Sequence, residues 1–132
     1  MATRYAACSC QQLRLWAEGD PVRISMCHCL ACQRRTGSAF AIQARWPAEN
    51  VRVEGRYSEY TRISDDGEPR TFRFCPECGA TVFYQTDSER IAVPIGAFAD
   101  PTFPPPTVYV YESRRHPWVS LPADIERHPE DF

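Results

Sequence analysis

The chain contains no lysine: all 15 of its cationic side chains are arginine. A Schiff-base mechanism, which needs a lysine amine, is therefore excluded. An excess of positive charge is also missing. The formal charge is −2 at pH 7, which is not the electrostatic footprint of a nucleic-acid-binding protein. No stretch approaches the roughly 18 uninterrupted apolar residues of a membrane span. The opening MATRYAACSC has no long apolar core and runs straight into cysteines, so it is not expected to act as a secretory signal. Helical periodicity is scarce, and no internal repeat or low-complexity linker interrupts the 132 residues. One domain over residues 1–132 is expected, its 43% hydrophobic content being enough to bury a core.

Turns and thiols are plentiful instead. Twelve prolines and six glycines punctuate short segments of alternating character rich in β-branched and aromatic residues. These are QLRLWAEG (12–19), AFAIQARWP (39–47), NVRVEGRYSEYTRI (50–63), TFRF (71–74), TVFYQT (81–86), RIAVPIGAF (90–98) and TVYVYES (107–113). They predict about seven strands joined by turns such as SDDGEP (64–69), hence a mainly β, largely antiparallel fold. LACQRRTG, after Cys29 and ending at Gly37, predicts one short helix. The polar tail from His116 onward is expected to wrap the surface.

Seven cysteines behind an opening not expected to be a secretory signal lead us to expect a cytoplasmic, reducing setting and metal binding rather than disulfides. They fall into Cys8-x-Cys10, Cys27-x-Cys29-x-x-Cys32 and Cys75-x-x-Cys78-Gly79. The last is a zinc-knuckle spacing, in which a tight turn aims both sulfurs at one point. Seven divides into four, which close a structural zinc, and three, which leave the open position of a catalytic one. Spacing allows two partitions. A zinc ribbon would join Cys29 and Cys32 to Cys75 and Cys78. Alternatively Cys8 and Cys10 join the knuckle, and the compact triplet CHCLAC (27–32) forms its own site. Locality favours the second, because three ligands within six residues close little loop.

CSC (8–10), CHCLACQRRTGSAF (27–40), FRFCPECGATVFY (72–84), IGAFADP (95–101) and HPWVSLP (116–122) resemble, in order and spacing, the glutathione-dependent formaldehyde-activating enzymes. That family also includes the centromere protein V-like proteins. The resemblance implies a β-tent fold of short strands around two zinc ions per chain. It implies Cys8, Cys10, Cys75 and Cys78 as ligands of a structural zinc, and Cys27, Cys29 and Cys32 as ligands of a catalytic one. It further implies a carbon–sulfur lyase that condenses glutathione with formaldehyde to S-hydroxymethylglutathione. The alternatives are a lyase for a different thiol adduct and a non-catalytic zinc-binding module. Relatives often carry histidine on the late strand where this chain has Tyr109, and a small residue where it has His116.

Three thiolates suit a soft sulfur ligand from the substrate better than water activation. Seven thiolates add −7 and two zinc ions +4, which would take the formal charge from −2 to −5. Glutathione brings two carboxylates, and Arg34, Arg35, Thr36 and Ser38 are its nearest candidate partners in sequence. The alternative is a solvated arginine face with Ser38 capping a turn. His28 is expected off the metal, either hydrogen-bonded beside the ligands or purely structural. Phe40 and Trp46 are expected in the core, Asp65, Asp66 and Glu68 in a solvated turn, and His116 and His128 without a chemical role.

Overall fold

The structure, a computed structural model, describes residues 2–121 and 125–129. Strands β1 (Thr3–Ala7), β2 (Arg14–Glu18) and β5 (Val51–Glu54) form a three-stranded antiparallel sheet in the order β1-β2-β5. A larger sheet is built from β3 (Arg23–Cys27), β4 (Ala41–Pro47), β6 (Ser58–Ile63), β7 (Pro69–Phe74), β8 (Thr81–Gln85), β9 (Arg90–Pro94), β10 (Val108–Val110) and β11 (Glu126–Arg127). Its order is β11-β10-β3-β4-β9-β8-β7-β6, antiparallel except where β10 pairs with β3 and β11. The fold is mainly β, as its alternation predicts.

The differences from that expectation have local causes. Segment 50–63 is two strands in different sheets, parted at Gly55, whose φ is 107°. β3, RISMC, shows no alternation because it lies between β10 and β4 with four of its five residues buried. β10 stops at Val110 because Tyr111 turns left-handed, at φ 54°. The tail does fold back on the sheet, β11 running parallel to β10.

Side chains from both sheets make the main core: Leu15 and Ala17 from β2, Ala44 and Trp46 from β4, Val82 and Val93 from β8 and β9. Trp46 is wholly buried and its indole N–H donates to the Gly19 carbonyl at 3.0 Å. Cys8 and Cys75 belong to this cluster. Cys27, Cys29 and Cys32 belong to a second one, with Val108, Val110 and Tyr111.

Candidate metal centres and the cavity beside them

The turns after β1 and β7 bring Cys8, Cys10, Cys75 and Cys78 together, their sulfurs all within 4.8 Å of one another. The Cys8–Cys10 and Cys10–Cys75 sulfurs lie 3.6 and 3.7 Å apart. A disulfide would place them at about 2 Å. The edge of a tetrahedron with Zn–S bonds of about 2.3 Å is about 3.8 Å. Donors already point at the sulfurs: Leu13 N–H at Cys8 (3.3 Å), Glu77 N–H at Cys75 (3.3 Å) and the Gln12 amide at Cys75 (3.0 Å). Burial raises the Cys75 thiol, but the Gln12 amide and the backbone N–H groups of Cys78 and Glu77 outweigh it and bring the pKa down to about 6. Cys75 is thus disposed to hold thiolate, the form a metal needs. At Cys10 the Gln12 N–H acts in the same direction, but desolvation and the neighbouring thiols of Cys8, Cys75 and Cys78 push the pKa up. Gly79 closes the knuckle at φ 80°, its N–H donating to the Cys75 carbonyl at 2.8 Å.

The second group follows from a strand running into a helix. Cys27 ends β3, Cys29 caps helix α1 (Leu30–Thr36), and Cys32 lies one turn further on the same face. The cap is itself a thiol, with Cys29 Sγ accepting from the Cys32 N–H at 3.3 Å. Gly37 terminates the helix at φ 69°. The three sulfurs lie within 4.8 Å of one another and are buried. The neighbouring thiols of Cys27 and Cys32 turn toward Cys29 and hold its pKa far below the ordinary thiol range, with Arg62 adding a positive field. Cys27, sharing its site with that charge, is pushed up.

His28 is not part of the group. Its ring is fully buried, edge-on to Phe40 and Tyr109 at 6.1 and 6.3 Å, and neither nitrogen has a hydrogen-bond partner. Of the two roles expected for it, the packed ring fits the structural one, and its main-chain N–H bonds to the Val110 carbonyl at 3.1 Å. Burial pushes its pKa down and favours neutral imidazole. His116 does take a partner, its Nε2 lying 2.7 Å from the Gln33 side-chain oxygen.

A cavity of about 50 Å³ opens on Cys27, Cys29 and Cys32. Its cationic lining is Arg45 from β4 and Arg62 and Arg70 from the β6–β7 hairpin. The expected partners lie elsewhere. Arg34 and Arg35 line a neighbouring outer groove of about 440 Å³. Arg35 stacks over Phe72 and Tyr84, 4.7 and 5.5 Å from the ring centres. Thr36 instead donates to the Cys32 carbonyl at 2.9 Å, and Ser38 lines a separate groove beside His116 and Trp118. Asp65 and Asp66, expected only to be solvated, are exposed but also edge the inner cavity. A signal for the missed arginines exists. Period two along YTR (60–62) and RTF (70–72) puts Tyr60, Arg62, Arg70 and Phe72 on one face of the hairpin.

Two thiol clusters of these compositions on a mainly β scaffold invite comparison with known families. Residues 3–114 match the family model described as glutathione-dependent formaldehyde-activating enzyme. The chain belongs to this family. A crystal structure of a Rhodobacter sphaeroides protein, a structural-genomics target, superposes with a TM-score of 0.57 at 22% identity, covering 76% of this chain and 91% of that one. At that identity the likeness is one of fold. A search of curated protein sequences gives no match. Membership of the formaldehyde-activating family supports a glutathione-dependent or related function on a thiol substrate. Both cysteine groups are compatible with zinc. Among the described residues no helix is long and apolar enough to cross a membrane.

Proposed function

We propose that this protein is a zinc-dependent carbon–sulfur lyase, one domain throughout, that interconverts glutathione and formaldehyde with S-hydroxymethylglutathione. The main support is the three-thiol group of Cys27, Cys29 and Cys32, which opens on a cavity and includes no fourth His, Cys, Asp or Glu donor among the described residues. Cys8, Cys10, Cys75 and Cys78 make a complete ligand set by themselves, which suits a structural ion. Zinc held by the three thiolates supplies an open position for a soft sulfur ligand and depresses that thiol's pKa.

The reaction is an addition. The thiol sulfur bonds to the aldehyde carbon, the C=O π pair moves to oxygen, and that oxygen takes up the proton the thiol gave up. The reverse breaks the C–S bond, and no oxidant or reductant enters. The protein's own residues supply proximity and a partly dry site. Val110, Tyr111, Phe72 and Tyr84 wall the cavity, and Arg62 sets a positive potential beside Cys29. The test is exchange NMR of a glutathione–formaldehyde mixture with and without the zinc-loaded protein. Accelerated exchange is expected; no acceleration at stoichiometric zinc removes formaldehyde as the substrate.

A further inference from the structure

The β6–β7 hairpin holds an unbalanced charge pair over the three-thiol group. Arg62 and Arg70 are register partners on adjacent strands. Like charges directly opposed across a ladder destabilise it unless something offsets them. Arg70 is offset, with the Asp66 carboxylate at 2.8 Å. Arg62 is not: it makes no hydrogen bond or ion pair with a described residue, and its buried Nε has no partner. Its contacts are the face of Phe72, 5.2 Å from the ring centre, and the field of Cys29. Across the cavity, the buried Nε of Arg45 is also unpartnered.

A neutral group repeats the pattern. Gln43 is only 4% exposed and donates to the Ser25 hydroxyl at 3.0 Å. Gln43 lines the same cavity, and its amide oxygen is buried with no partner among the described residues. Buried polar groups are rarely left unpaired, because water has been stripped from them without a replacement. Three such groups converging on one cavity mark a place where a polar ligand completes the bonding. Three thiolates with a divalent ion would carry −1 and Asp65 at the cavity edge another −1, which Arg45 and Arg62 together balance. It is therefore the unpartnered guanidinium N–H donors, rather than a net charge, that call for an acceptor group. Arg62 and Phe72 also line the outer groove, with Arg34, Arg35 and Tyr60. Arg62 thus stands where an extended molecule would pass from groove to thiols.

We infer that Arg62, assisted by Arg45, receives a carboxylate of the thiol substrate and selects anionic, peptide-sized thiols over small neutral ones. The inference rests on the lyase reading for its kinetic consequence. The guanidinium fork fits a carboxylate with two parallel bonds, which a lysine would not reproduce. The body of the ligand then lies in the outer groove, beside Arg34 and Arg35.

The test compares glutathione with 2-mercaptoethanol, each with formaldehyde, in wild type, Arg62→Gln, Arg62→Lys and Arg45→Gln, with zinc content measured for each. The ratio of kcat/KM for glutathione to that for 2-mercaptoethanol should fall roughly tenfold to hundredfold in Arg62→Gln, the range for losing a bond to a charged group. Arg62→Lys should fall between, and Arg45→Gln should shift the ratio in the same direction. A parallel titration uses S-methylglutathione, which keeps both carboxylates and has no free thiol. Wild type should bind it and Arg62→Gln should bind it at least tenfold more weakly. An unchanged ratio in Arg62→Gln, equal binding by both proteins, or no binding by wild type overturns the inference. If wild type catalyses nothing yet binds S-methylglutathione in an Arg62-dependent way, the subsite stands and the lyase reading falls.

Discussion

Gly55 is where the two sheets part, packed against the Gln12 segment whose side chain also bonds Cys75 of the four-thiol group. A Cβ at this position would lie 2.1 Å from the Gln12 carbonyl oxygen and 2.9 Å from Leu13 Cα, both backbone atoms that cannot swing aside. The φ of 107° adds strain of about 1–2 kcal/mol for an L-residue. Relieving the clash means moving the β5–β6 turn off the Gln12 segment. Gln12 holds that turn with two bonds, Nε2 to the Arg56 carbonyl at 2.8 Å and Oε1 from the Arg56 N–H at 3.0 Å. Their loss costs about 0.5–1.5 kcal/mol each. Gly55→Ala should therefore destabilise the zinc-loaded protein by about 2–5 kcal/mol, a large share of a typical domain's stability.

Gly37→Ala is the matched control. It has the same sign of φ, at 69°, and nothing within 4 Å of the added carbon, so it should cost only about 1–2 kcal/mol. Urea unfolding at saturating zinc, with equal slopes for all three proteins, measures both changes. The Gln12 amide that grips Arg56 also bonds Cys75, so Gly55→Ala should release zinc to a chelator faster than Gly37→Ala. If Gly55→Ala proves no more destabilising than Gly37→Ala, the clash and the Gln12 clamp do not control stability.

Cys78→Ser should abolish cooperative unfolding, whereas Cys32→Ser should keep it, lose turnover and retain about one zinc per chain; the opposite pattern would reverse the assignment of structural and catalytic groups. The Asp66 carboxyl is held below the usual carboxylate range by the Ser64 hydroxyl, the Glu68 N–H and Arg70. Its folded pKa is depressed, so its contribution is fully present above about pH 4 and is lost as pH falls through the folded value. Asp66→Asn should be the less stable protein at neutral pH, with the gap closing in acid; a gap that stays constant under acid titration would contradict this. Trp46→Phe strands the buried Gly19 carbonyl that now accepts at 3.0 Å, and thermal or urea unfolding should register a loss of about 1–3 kcal/mol.

Much of this protein can be read from local sequence, because some of its devices close within a few residues. CHCLAC carries three thiols within six residues, on a strand end, a helix cap and the first helical turn, so their proximity to one another is visible in local sequence. Gly37 marks the helix end for a reason visible in sequence, its freedom at positive φ. Alternation announces the β class, and the absence of lysine limits the chemistry before any fold is known. Strand β3 was hidden because burial on both faces erases alternation, and the break at Gly55 was hidden because a strand pattern can cross a change of sheet.

The surroundings of the thiols needed the fold. Cys10 and Cys75, 65 positions apart, meet only because the β1–β2 and β7–β8 turns converge. Arg34 and Arg35 follow the triplet in sequence, yet the helix turns them to the outer groove, and Arg45, Arg62 and Arg70 arrive at the inner cavity from β4 and a distant hairpin. Sequence proximity governs thiols that share one turn. Which charges face them is governed by strand order in the sheet, and strand order is decided by packing across the whole chain.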